Sequence, residues 1–181
     1  MAEIPIPKSL HEVLGEKQSL LEIVSIFAFA FVGSAAIYAV LYRPSSPEVT
    51  WQVAMGFILI VDVLAGCVAN FTRGTNLYYA SRRSSRFMFI AIHFHVIAIA
   101  WLLGESILLA WMVWVYTITS ALVVNSLNGH RLQLFVSACL MCFGLLLLLL
   151  LPLEPWFLAC SLFFMIKVVF SFAVDHYTKI E

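Results

Sequence analysis

The sequence predicts an all-α polytopic membrane protein: six transmembrane helices with short loops, N- and C-termini cytoplasmic, and a short N-terminal interfacial amphipathic helix. Three observations carry that prediction. The 181 residues are 63% hydrophobic and only 11% charged, with a mean hydropathy of +1.01. No soluble domain needs that much apolar surface. Several apolar runs approach or pass the roughly 18 residues that read as a membrane helix. Lysine and arginine, finally, are spread unevenly between alternate loops. The organisation that follows is an interfacial segment at 1–18, a six-helix transmembrane domain at 19–176 and a C-terminal tail at 177–181.

Taken in order, Ser9-Leu-His-Glu12 is a capping-box pattern, and Leu10, Val13 and Leu14 form an apolar stripe beside Glu12, Glu16 and Lys17. This reads as a small amphipathic helix at the interface, with a frayed terminus as the alternative. A second box, Ser19-Leu-Leu-Glu22, opens the first span at 20–42, and Pro44-Ser-Ser-Pro47 turns the chain. The second span covers 51–72 and the third 87–104; Gly104-Glu-Ser106 leads into the fourth at 107–127. Asn128-Gly129 precedes the fifth at 132–151, and Pro152-Leu-Glu-Pro155 leads into the sixth at 156–174. At about 1.5 Å per residue each span crosses a hydrocarbon layer of about 30 Å with little tilt to spare. No proline lies inside a span, and Gly33, Gly56, Gly66 and Gly144 are isolated. Transporters with broken helices show paired Gly/Pro interruptions, so their lack weighs mildly against that design.

An N-terminus on the inside places Lys8, Lys17, Arg73, Arg82, Arg83, Arg86, Arg131 and Lys179 in the cytoplasm. Only Arg43 falls outside, beside Glu48, Glu105 and Glu154. Trp51, Trp101, Trp111, Trp114 and Trp156 then cluster near the outer ends, as an interfacial belt does. The N-terminus lacks the basic, apolar and small pattern of a cleaved signal. The expected location is a plasma (inner) membrane, with anionic headgroups facing the basic loops.

Depth can be counted from the outer tryptophans. Asp62 follows Trp51 by eleven residues and Lys167 follows Trp156 by eleven, so each lies about 16 Å in. His93 and His95 precede Trp101 by eight and six residues, about 12 and 9 Å in. Thr117 and Ser120 sit at similar depth. Ionisable groups at such depth are costly and read by default as functional. The sharp reading is a midplane site in which Asp62 pairs with Lys167 while His93 exchanges protons or binds a ligand. Two blander readings stand beside it: an ion pair that only fixes how two helices meet, or a Lys167 that snorkels out beside Asp175.

Asp62, Gly66, Asn70 and Arg73 share one face of the second helix, which Asn76 and Tyr79 continue if the helix persists past Gly74. Such a stripe reads as a pathway lining or a headgroup groove, or simply as a hydrogen-bonded helix end. His93-Phe-His95 places its two rings about 160° apart on one helix, so both cannot serve one ion. Each alone can hydrogen-bond a ligand or hold haem or a metal with a partner from elsewhere, or it can merely pack helices. Cys139-Leu-Met-Cys142 has dithiol spacing but sits in a leucine-rich span, where small packing residues are the simpler reading. The cationic loop with Arg73, Asn76, Tyr79, Arg82, Arg83 and Arg86 would attract anionic headgroups or phosphate, and also serves as a topology determinant. No nucleic-acid, phosphate-loop or serine-triad motif is present.

Three functional classes remain. The first is small-solute or ion/proton-coupled transport, or solute capture, at Asp62, Lys167 and His93. The second is a non-catalytic subunit or assembly factor, in a homo-oligomer or a larger membrane complex. The third is a membrane enzyme or redox subunit acting on a lipid, a quinone or haem. No cofactor or metal is predicted, and an enzyme is the less favoured class; haem, quinone and metal stay open.

Overall fold

The computed structural model describes residues 3–43, 45–46, 49–80 and 82–177, without the side chains of Arg83 and Ser84. Pro44 and Pro47 of the expected turn, Glu48, Lys179, the Arg83 side chain and the tail beyond Tyr177 therefore fall outside the described residues. Six segments are long and apolar enough to cross a membrane. Five are continuous: α2 (Leu20–Tyr42), α3 (Trp51–Ala69), α7 (Ile107–Ser126), α8 (Gln133–Leu150) and α9 (Pro155–Phe172). The third span, Ser85–Leu103, is made of two helices, α5 (Arg83–Ala91) and α6 (His95–Leu103). This length and composition fit an integral membrane protein.

Local chemistry fixes the starts and stops. Ser19 and Glu22 form the second capping box: the Glu22 amide donates to Ser19 Oγ (3.3 Å) and the Ser19 amide to Glu22 Oε2 (2.8 Å). Thr50 and Ser106 cap α3 and α7, and Pro155 stands in the first turn of α9, where no backbone donor is needed. Gly104 ends α6 at φ 80°, a left-handed conformation that glycine adopts without steric cost. The last turns of α2 and α9 are wide. There Arg43 N donates to Tyr38 O (2.8 Å) and Ala173 N to Val168 O (3.2 Å), each reaching five residues back.

Helix α3 packs against α2, α6 and α9, and α9 also meets α7 and α8, so α3 and α9 form the centre. The core between them includes Ile60, Val63, Leu64, Phe157, Phe164 and Val168. Hydrocarbon would cover the opposite faces, including the exposed stripe Trp51, Met55 and Ile58 of α3.

The N-terminal segment differs from the expected amphipathic helix. Residues Glu3–Pro5 (β1) and Lys17–Ser19 (β2) pair antiparallel and enclose a tight helical turn at Lys8–Leu10 followed by one α-helical turn, α1 (His11–Leu14). The expected Ser9–Glu12 box does not form; the residue before α1 is Leu10, with no side-chain cap. The reason is tertiary: this unit docks on α4 (Arg73–Ala80), a helix between the second and third spans. Gly15, at φ 71°, lies directly on the backbone of Gly74, leaving no space for a Cβ on either residue. Gln18 Nε2 donates to Thr72 Oγ1 (2.6 Å) and Thr75 Oγ1 to Val13 O (3.3 Å).

Candidate functional site

The polar residues converge where α3, α9 and the interrupted third span meet. Lys167 belongs to the wide final turns of α9 and is 3% exposed. Its Nζ donates to Asp62 Oδ2 at 2.7 Å and approaches Asp62 O at 3.4 Å. The ammonium stem reaches Asp62 by crossing Gly66, whose missing side chain is the passage: a Cβ there would meet Nζ at 2.9 Å. His95, the first residue of α6, places Nε2 3.2 Å from the same Oδ2. One carboxylate oxygen therefore joins three helices. Its exposure is unequal, for the Asp62 side chain is 47% exposed and that of Lys167 only 4%.

The placing of both histidines corrects the expectation that they point to opposite faces. That geometry assumes a continuous helix, but the chain leaves helical hydrogen bonding between Ala91 and His95. The break needs no proline because side chains hold it open. His93 Nδ1 bonds Phe89 O, satisfying a carbonyl at the end of α5, and Trp114 Nε1 donates to His93 O at 2.9 Å. With the helix interrupted, the two imidazole centroids lie 5.1 Å apart, on the Asp62 side.

Beside these groups is a cavity of about 160 Å³, lined by Asp62, Gly66, Asn70, His93, His95 and Lys167. Phe89 and Ile92 form one wall; Glu12 and Val13 of the N-terminal unit and Tyr79 of α4 form one end. Tyr79 OH donates to Glu12 O (3.0 Å), joining α4 to the N-terminal unit across that end. Burial raises the Tyr79 pKa, with Glu12 adding to the effect, so the phenol keeps its proton for this bond. Two buried atoms on the lining residues have no partner among the described residues: Asn70 Nδ2 and His95 Nδ1. Larger depressions lie elsewhere. One of about 560 Å³ is charged, holding Arg73 and Arg82 with Glu3, Glu16 and Glu22. Another, of about 610 Å³, is an apolar groove between α7 and α8.

The other sequence candidates are distributed as follows. Asn70 joins the cavity, two turns below Asp62 on the same face of α3. Thr117 is buried with no hydrogen-bond partner among the described residues, and Ser120 lies on the α7–α8 groove; neither lines the cavity. Asn76 is buried, donating to Val174 O (3.0 Å) and accepting from the His176 amide (3.2 Å). Arg82 stacks on Tyr78 and pairs with Glu16 at 3.2 Å. Arg86, expected at a headgroup surface, is 1% exposed; it donates to Asn125 Oδ1 (2.7 Å) and to Ala173 O (2.8 Å). It satisfies the open carbonyls at the end of α9, so its role there is structural. Trp156 is 3% exposed and Trp114 serves the helix break, so only Trp51, Trp101 and Trp111 keep the exposed position of an interfacial belt. Cys139 and Cys142 are free, and no three His, Cys, Asp or Glu side chains among the described residues converge as a metal ion requires.

Sequence reasoning missed Glu12, Val13, Phe89, Ile92 and Trp114. Trp114 alone carried a signal, being an aromatic donor eight residues into a span and too deep for the interface. Comparison with protein-family models, curated proteins and solved structures returns no match.

Proposed function

We propose that this membrane protein captures a small molecule at mid-membrane and exchanges protons with it, as a proton-coupled transport or capture site. One observation carries the reading: the third span is interrupted where it meets the Asp62–Lys167 pair, bringing both imidazoles to a polar cavity. Interrupted helices at the midplane are how membrane proteins expose polar groups to a solute without exposing them to lipid. In this reading Asp62 and His95 share the exchangeable proton and Lys167 balances the carboxylate charge. Asn70 binds the solute, and His93 holds the break open. The basic residues orient the chain with the N-terminal unit in the cytoplasm of a plasma membrane, so that Glu12 and Val13 close the inner end. Arg73 and Arg82 remain the candidates for anionic headgroups.

The test uses proteoliposomes loaded with a pH-reporting dye and given an external pH step. The chain is expected to speed proton equilibration over protein-free vesicles, and Asp62→Asn to return the rate to theirs with folding intact. Equal rates for the unmodified chain and empty vesicles would refute proton exchange. A second reading, a subunit of a homo-oligomer or larger complex, is favoured by the half-exposed Asp62 carboxylate on a lipid-facing stripe, which a neighbouring helix would cover. Native mass measurement of the chain extracted in mild detergent discriminates it: a monomer without co-purifying protein counts against it.

A further inference from the structure

The shape and the unmet hydrogen bonds of the cavity narrow the class of ligand. We infer that it takes the head of a neutral, carbonyl-bearing molecule dissolved in the bilayer, which enters sideways between α3 and the break in the third span. This rests on reading the cavity as a ligand site.

Charge is the first argument. Asp62 and Lys167 meet at 2.7 Å and cancel one another, leaving no spare charge in the interior to bind an ion. Glu12 brings a carboxylate only to the rim, on a residue that is itself exposed. An ionic ligand would lose its hydration here without an opposite charge to replace it.

Hydrogen bonding is the second. Asn70 is 4% exposed, and its Nδ2 has no acceptor among the described residues. A buried amide donor in that state calls for an oxygen acceptor. His95 gives Nε2 to the carboxylate, so its unpartnered Nδ1 is an acceptor in the neutral tautomer and suits a hydroxyl. A head that carries oxygen as carbonyl or hydroxyl meets both.

Size and route complete it. The volume of about 160 Å³ equals the share of about five waters in the liquid, room for one ring and not for a chain. A tail must stay outside. Glu12, Val13 and the Tyr79 bond cross the inner end, whereas Ile92 is 61% exposed and Asp62 is open on the stripe of Met55 and Ile58. At that depth the open side faces hydrocarbon, so the molecule that arrives there is one the bilayer already dissolves. A quinone ring on an apolar tail has all of these properties.

The experiment places the chain in phosphatidylcholine nanodiscs with a photoreactive diazirine analogue of decylbenzoquinone and maps the covalent adducts. Label is expected within 62–70 and 89–95, displaced by unlabelled decylbenzoquinone but not by decylbenzene, which has the ring and tail without oxygen. Asn70→Leu should weaken displacement about tenfold, the value of one unmade hydrogen bond to a buried donor. Ile92→Trp, which fills the side opening without touching the polar groups, should cut labelling by a similar factor at an unchanged melting temperature. Label confined to the α7–α8 groove, or displaced equally by decylbenzene, overturns the inference. If labelling fails while the proton flux still depends on Asp62, the ligand class is wrong and the site stands. Specific labelling without that flux keeps the ligand class and removes the proton exchange.

Discussion

Removing Lys167 and removing Asp62 should each be costly, and the two losses should not add. Lys167 Nζ donates to Asp62 Oδ2 at 2.7 Å and has no other side-chain acceptor among the described residues, so Lys167→Met leaves the carboxylate with His95 Nε2 at 3.2 Å alone. Stranding one member of a buried ion pair costs about 3–5 kcal/mol. Asp62→Asn keeps an oxygen acceptor for Nζ but leaves the more deeply buried ammonium without a counter-charge, so it should cost about 3 kcal/mol or more. A charge-assisted bond is worth about 1.5–3 kcal/mol, against an average of about 0.6 for interhelical bonds in membranes, so the expected coupling energy is about 2 kcal/mol. The assay is reversible unfolding by dodecyl sulfate in mixed micelles for the four members of a double-mutant cycle. A coupling energy below about 0.5 kcal/mol, the usual limit of additivity, would refute the reasoning.

Three further outcomes follow from the same geometry. Trp114→Phe keeps an aromatic ring, though a smaller one, and loses the bond to His93 O; it should cost about 1 kcal/mol or more and raise amide exchange at 91–95, and unchanged exchange there would show that the break stands without the indole. Tyr79→Phe removes the donor to Glu12 O, so proteolysis within the N-terminal unit should quicken several-fold while the spans stay protected. His176 follows α9, and burial beside Phe71 and Phe170 lowers its pKa below 6.5, although Phe170 O favours the charged ring. The unfolded ring therefore binds a proton more readily than the folded one. Its contribution is present above pH 6.5 and is lost as pH falls below it, so acid should depress the unfolding midpoint less in His176→Gln than in the unmodified chain.

The spans were legible because hydropathy is summed over many residues: the predicted first span at 20–42 coincides with Leu20–Tyr42, and the others shift only at their ends. Equal counting from Trp51 and Trp156 put Asp62 and Lys167 at one level, and they touch, although Trp156 itself turned out to be core. The rest depends on contacts far apart in sequence. The break at His93 is written partly in Trp114, the N-terminal fold in Gly74, and the burial of Arg86 in Asn125 and the end of α9. None of these shows in a window of local periodicity. The headgroup reading of Arg86 failed because a cation next to a span can cap carbonyls of another helix as readily as it meets lipid.

The interruption of the third span also has a consequence for how the chain is made. Its halves, Arg83–Ala91 and His95–Leu103, have nine residues each and about 13 Å of length, less than half of the hydrocarbon layer. Neither can be inserted alone, so Ser85–Leu103 must enter the membrane as one unit. The indole that holds the break belongs to the next span and reaches the bilayer later in synthesis. Of the two bonds at the break, the one from Trp114 to His93 O can therefore form only after the fourth span is in place, while the one from His93 to Phe89 O is local to the third. The polar site would then be a late product of assembly, absent from the chain while its first three spans stand alone.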